Sequence, residues 1–81
     1  MSWRQLGTPR HESLRQLLIE RRRKAGLTQQ EVAARINRPQ RFISRIERGL
    51  HRVTAVELIE LSEALEFDPA AVIRRIAKVK D

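Results

Sequence analysis

The sequence predicts a single all-α domain, a compact bundle of about five helices spanning residues 1–81. Two observations support this prediction: helix-start signals recur along the chain, and the apolar residues between them follow helical rather than alternating spacing. The chain has 81 residues and no cysteine, so it has room for one small core and no disulfide or thiolate metal site to hold it together. Stability must therefore come from helix packing, from a partner subunit or from both.

The first two helices are marked by their caps. Thr8 followed by Pro9 places an N-cap before a proline at the first helical position, and Gly26 ends that helix. Thr28 and Glu31 form the pattern of a capping box, which begins a second helix. The predicted core positions are Leu14, Leu17, Leu18 and Ala25 in the first helix, and Val32, Ala33 and Ile36 in the second.

A tight corner is predicted between the second helix and the third. Asn37 tolerates the left-handed conformation that such a corner needs, and Pro39 is predicted to start a third helix that Gly49 closes. Phe42, Ile43 and Ile46 are the apolar positions of this helix. The short connection predicts two helices at a steep angle.

Two further helices are predicted at residues 54–79. Thr54 and Glu57 repeat the capping box, and Asp68 precedes a proline at the start of the last helix. The predicted core positions are Ala55, Leu58, Ile59, Ser62 and Leu65 in the fourth helix, and Val72, Ile73 and Ile76 in the fifth.

Basic residues are concentrated in the N-terminal part of the chain. Residues 1–52 contain 13 Arg or Lys and four Glu, which gives +9, whereas residues 53–81 carry −2. This asymmetry predicts a surface that faces a polyanion such as nucleic acid. The basic run at residues 21–24 is not expected to form one patch, because successive helical residues point about 100° apart.

The third helix carries polar side chains opposite its apolar positions. Gln40, Arg41, Ser44 and Arg45 fall on the side away from Ile43 and Ile46. Gln and Arg side chains match the hydrogen-bonding edges of adenine and guanine in the DNA major groove. Such a face at the front of a short helix is typical of a helix that enters a groove.

Residues 14–65 resemble the phage repressor/Cro-type (XRE-type) helix-turn-helix family. The matching features are GLTQ at residues 26–29, Ala33, ISRIERG at residues 43–49 and the later helix from Leu58 to Leu65. The resemblance implies a lambda-repressor-like DNA-binding domain with its helix-turn-helix at residues 28–48. It also implies a transcriptional regulator that binds double-stranded, two-fold symmetric operator DNA, and we expect it to be a homodimeric repressor that reads the major groove with the third helix.

The resemblance assigns roles to individual residues. Arg22 and Glu47 match a structural salt bridge that joins the first helix to the end of the third. The dimer is expected to form through the last two helices, by way of Val56, Val72, Ile73 and Ile76. The predicted DNA-binding residues are Gln29, Arg38, Gln40, Arg41, Ser44, Arg45, Arg48 and Arg52.

The chain departs from the family pattern at two positions. Asn37 stands where the family has a corner glycine, and Pro39 stands where it often has Ser or Thr as a cap. The proline leaves the first turn of the third helix, and so the reach of Gln40, open.

Other functions share these features. The same fold serves as the DNA-binding antitoxin of a toxin–antitoxin pair, with a toxin as partner, and as a restriction–modification controller. A protein-interaction adaptor that uses the acidic C-terminal part is an alternative from another class. The role of Trp3, which either covers the core or contacts a partner, is open.

The sequence indicates neither an enzyme nor a membrane protein. His11 and His51 are isolated from other ligand-type side chains, and no Ser/His/Asp arrangement or phosphate-binding glycine loop occurs. We therefore expect no catalytic residues, no metal and no cofactor. No apolar run approaches the roughly 20 residues of a membrane span, and the N-terminal residues lack the hydrophobic stretch of a secretory signal. A cytoplasmic, nucleoid-associated protein is expected.

Overall fold

The structure, a computed structural model, describes residues 7–80, so Trp3 lies outside the described residues. This part of the chain is all-α, as predicted, with five helices and no strand. The helices are α1 (Pro9–Lys24), α2 (Gln29–Arg35), α3 (Gln40–Glu47), α4 (Ala55–Leu65) and α5 (Pro69–Ala77). None of them is both long enough and apolar enough to cross a membrane.

Local hydrogen bonds explain where most helices begin. Thr28 and Thr54 each accept a bond from the backbone amide three residues ahead, and the glutamate at that position bonds back to the amide of the threonine. Thr8 accepts a bond from the His11 amide, and Asp68 accepts one from the amide of Ala70. These four helix starts agree with the caps predicted from the sequence. Such caps can be predicted because all their residues lie within one helical turn.

α3 begins one residue later than predicted. Pro39 is the N-cap, with ψ at 153°, and Gln40 is the first helical residue. Proline fixes φ but leaves ψ free to be extended, so Pro39 ends the corner instead of opening the helix. No side chain caps this helix.

The core lies where α1, α2, α3 and α4 meet, with α5 closing one side. Several predicted core positions are confirmed, but the buried side of α4 is rotated relative to the prediction: Leu61 is buried, whereas Ile59 is 49% exposed. Ala25 and Ala55 are exposed, and Phe67 joins the core from the α4–α5 turn. The buried apolar residues are Leu17, Leu18, Val32, Ala33, Ile43, Ile46, Leu58, Leu61, Leu65, Phe67 and Val72.

Candidate nucleic-acid interface

The corner between α2 and α3 is built around Asn37. Its φ is +57°, in the left-handed region that Asn tolerates better than most residues. The amide of Asn37 donates to the Ala34 carbonyl, and the amide of Arg38 donates to the Ala33 carbonyl at 3.0 Å. Ala33 is 2% exposed, and its small side chain allows α2 and α3 to pack closely. The Asn in place of glycine therefore preserves a tight corner.

The two sides of α3 are sharply different. Ile43 and Ile46 are each 3% exposed and lie in the core. Gln40, Arg41 and Arg45 are exposed on the other side, and Ser44 is half-buried. Arg45 Nη2 lies 3.5 Å from the Leu50 carbonyl, and Arg41 forms no ion pair within residues 7–80. A short helix thus presents forked hydrogen-bonding side chains to solvent.

A chain of side-chain hydrogen bonds supports the front of this face. Arg22 donates through Nε to Glu47 Oε2 at 2.6 Å and through Nη2 to Oε1 at 3.0 Å, forming the ion pair that the sequence suggests. Gln29 Nε2 donates to the same Glu47 Oε1 at 2.9 Å, and Gln40 Nε2 donates to Gln29 Oε1 at 3.4 Å. The hydrogen bond with Glu47 raises the pKa of Arg22, against the lowering effect of burial. Gln29 and Gln40 are thereby oriented from the interior outward.

The end of α3 and the following loop continue the basic surface. Arg48 caps α3 and is exposed, as is Arg52 in the loop. Leu50 is 43% exposed between them, and sequence patterns gave no signal for it because a single apolar residue in a loop has no periodicity. His51 Nε2 lies 3.0 Å from Glu57 Oε1, which ties this loop to the start of α4.

Arg38, another of the predicted DNA-binding residues, contacts side chains of both α3 and α4. Its Nη2 lies 3.0 Å from Glu60 Oε1, and its guanidinium carbon lies 4.5 Å from the centroid of the Phe42 ring. The structure therefore places Arg38 beside α4 and the corner, on the flank of the face formed by Gln40, Arg41 and Arg45.

Other basic residues lie where helices end. Arg35 donates to the Ala64 carbonyl at 2.9 Å, near the end of α4. It shares a surface groove with Arg21 and Lys24, next to the last residues of α1 and α4. Carbonyl ends of helices carry partial negative charge, so these cations are accounted for by the helix ends and do not indicate an anion site.

The residues expected at a dimer interface divide into two groups. Val56 is 66% exposed, Ile73 is 53% exposed and Ile76 is half-buried against the core. Val72 is 2% exposed, so its assignment to the dimer interface is wrong: it packs inside the monomer. Ile59 instead adds to the apolar surface, one turn after Val56 on α4.

Comparison with known proteins agrees with this geometry. A family model described as helix-turn-helix matches residues 18–72, which is well over half of the chain. The chain belongs to the XRE-type helix-turn-helix family. A relative in Sinorhizobium fredii, an uncharacterized HTH-type transcriptional regulator called y4dJ, is 48% identical over 44 residues, or 54% of this chain. The match spans only 57% of that relative's length.

Two solved structures have the same helix-turn-helix architecture. An XRE-family like protein from Pseudomonas syringae pv. tomato superposes with a TM-score of 0.79 at 37% identity, covering 84% of this chain and 83% of that one. The clp gene regulator ClgR from C. glutamicum superposes with a TM-score of 0.76 at 27% identity, covering 86% of this chain and 91% of its own. The five-helix arrangement is thus shared along most of each chain.

Proposed function

We propose that this protein is a sequence-specific regulator of transcription that binds double-stranded DNA. The observation that carries the proposal is the exposed side of α3, where Gln40, Arg41 and Arg45 project opposite a fully buried apolar side. Arg pairs with guanine and Gln with adenine through two hydrogen bonds each, so such a face reads base edges in the major groove. Family membership and the regulators among the relatives support the same function.

Phosphate contacts are proposed to come from the flanks of α3. Arg48 and Arg52 are exposed after its C-terminal end, and Gln29 is held beside Gln40 at its N-terminal end. Contacts of this kind fix the register of a protein on the duplex and supply much of its affinity without reading sequence. Base recognition then rests on Gln40, Arg41, Ser44 and Arg45.

We further propose that the protein acts as a homodimeric repressor on nucleoid DNA in the cytoplasm. Val56, Ile59 and Ile73 are large apolar side chains about half or more exposed on α4 and α5, the two helices that carry no proposed DNA contact. A homodimer formed through this surface and bound to a two-fold symmetric operator is expected to read half-sites about 34 Å apart. Occupying an operator is enough to exclude a competing protein, so repression needs only these two surfaces.

Selection from random duplex DNA, followed by a salt titration on the selected sequence, tests the proposal. We expect a palindromic sequence whose binding weakens steeply as salt rises, because each neutralised phosphate releases counterions. The double variant Arg41→Ala, Arg45→Ala should lose preference for that sequence. The matched control is Arg74→Ala with Arg75→Ala, which removes the same charge from α5. Affinity that does not depend on salt, or equal losses in both double variants, would reject the proposal.

A further inference from the structure

Phe42 is held from two sides by side chains that are themselves paired with α4. The guanidinium carbon of Arg38 lies 4.5 Å from the ring centroid, and the His51 ring meets it edge-on with centroids 5.1 Å apart. Arg38 Nη2 lies 3.0 Å from Glu60 Oε1, and His51 Nε2 lies 3.0 Å from Glu57 Oε1. These five residues, Phe42, Arg38, His51, Glu57 and Glu60, are called the Phe42 clamp below.

The Phe42 clamp joins parts of the fold that otherwise touch little. α3 packs mainly on α1 and α2, whereas α4 packs mainly on α2 and α5. Phe42 lies in the first turn of α3, directly after Arg41, and Arg38 precedes that turn. Glu57 and Glu60 are three residues apart on α4, so they project from the same side of that helix.

We propose that Glu57 and Glu60 are positioning residues for the DNA interface. Acting through His51 and Arg38, they fix the Phe42 ring and with it the angle at which α3 leaves the corner. The proposal rests on the DNA-binding function proposed above and gives Arg38 a different role in it. Arg38 holds Phe42 from the flank, in place of the direct DNA contact that the sequence suggests.

The arrangement explains why a helix without a side-chain cap can still present Gln40 and Arg41 in a fixed direction. Each contact alone is weak, because Arg38 and Glu60 are each about one-third exposed and solvent screens their attraction. The Arg38 and His51 contacts share the Phe42 ring, however. Removing one contact therefore loosens the other, and the losses in binding from the two are not additive.

The direction in which Glu60→Gln changes the affinity for DNA separates a positioning role from a simple effect of charge. Glu60→Gln removes an acidic charge and reduces the ion pair with Arg38 to at most a neutral hydrogen bond, whereas Glu63→Gln removes the same charge from an exposed residue of α4 that forms no ion pair within residues 7–80. Loss of an acid strengthens binding to a polyanion if only charge matters. We expect Glu60→Gln to weaken binding to the selected duplex by about threefold to tenfold. Glu63→Gln should leave it equal or slightly tighter. Equal or tighter binding by both variants would overturn the proposal.

A second variant examines Arg38 directly. Arg38→Lys keeps the positive charge but loses the planar group that lies over Phe42 and pairs with Glu60. We expect weaker binding to the selected duplex, little change on unrelated duplexes and an unchanged dependence on salt. A phosphate contact would instead be retained by lysine, so wild-type affinity in this variant would contradict the positioning role.

Amide hydrogen exchange in the absence of DNA tests whether the Phe42 clamp restrains α3. Glu60→Gln should accelerate exchange at residues 43–47 of α3 and leave the middle of α1 unchanged, while Glu63→Gln changes neither. Equal exchange in the two variants would also overturn the proposal. A wild-type protein that prefers no duplex would reject the proposed function, and the exchange measurement would still decide whether Glu60 restrains α3.

Discussion

The α2–α3 pair and the α4–α5 pair expose opposite kinds of chemistry. α3 shows Arg41 and Arg45 to solvent, whereas α4 and α5 show Val56, Ile59 and Ile73. Both surfaces lie on the same small core, and each is the solvent side of a helix whose other side is buried. Within residues 7–80, one small core thus carries a polar surface on one side and an apolar surface on another.

The comparison also shows that charge alone does not locate the polar surface. Several basic residues of the N-terminal part serve the fold: Arg22 pairs with Glu47, Arg35 donates to the end of α4 and Arg38 pairs with Glu60. Arg15 pairs with Glu12 and also donates to the Glu47 carbonyl. The cations that matter for a polyanion are those that remain exposed on one face, which only the folded chain defines.

The largest expected effect falls on the contact that supports the polar surface from inside. Glu47→Ala leaves the guanidinium of Arg22, 14% exposed, without its carboxylate, and should lower the free energy of unfolding by about 3 kcal/mol. Urea unfolding measures this loss. Arg23→Ala, which removes a neighbouring exposed cation of α1, is the control and should change stability by less than about 0.5 kcal/mol. A similar small change in both variants would mean that the pair contributes little.

The base recognition proposed for α3 gives the next largest expected effect. Arg45→Ala should lower affinity for the selected duplex by about 1–3 kcal/mol and flatten the preference at one base pair. Binding measured on duplexes mutated at each position checks this. An equal loss on every sequence, with a shallower salt dependence, would instead make Arg45 a phosphate contact like the one proposed for Arg48.

The oligomeric state of the protein tests the role of the apolar surface. Ile73→Asp places a charge on a surface proposed to be buried between two copies, and should weaken the dimer about tenfold or more. Sedimentation equilibrium measures the change, with Arg75→Ser on the other side of α5 as the control. DNA binding by Ile73→Asp should then require higher protein concentration. A wild-type protein that is monomeric at high concentration would contradict the assignment of this surface.

The smallest expected effect is on the pH dependence of stability, through Glu57 at the start of α4. Burial alone would raise the pKa of Glu57, but hydrogen bonds from the Thr54 amide and from His51 bring it below its ordinary value of 4.5. A carboxylate with a lowered pKa stabilises the folded state above the unfolded pKa, and this stabilisation disappears as pH falls through the folded pKa. Urea midpoints should therefore fall less steeply below about pH 4.5 in Glu57→Gln than in wild type. Identical pH profiles in Glu57→Gln and wild type would contradict this role for Glu57.

Local sequence determined the helices and the corner of this protein. The caps at Thr28 and Thr54, the proline after Asp68 and the left-handed Asn37 all act through hydrogen bonds or backbone limits within about one turn. Such features can be predicted from the sequence, because the interacting groups are close along the chain. The polar side of α3 was legible for the same reason, since Ile43 and Ile46 define the opposite side by their spacing.

Only the tertiary structure decided which side of α4 and α5 is buried and which cations are engaged. Apolar residues nearly surround these two helices, so spacing alone did not separate Leu61 from Ile59 or Val72 from Ile73. The side of each helix that is buried is the side against which the neighbouring helices pack. The pairing of Arg38 with Glu60 joins residues 22 positions apart, and no local pattern encodes it. Helix formation is local, whereas the rotation of a helix and the partners of its long side chains depend on what lies across the core.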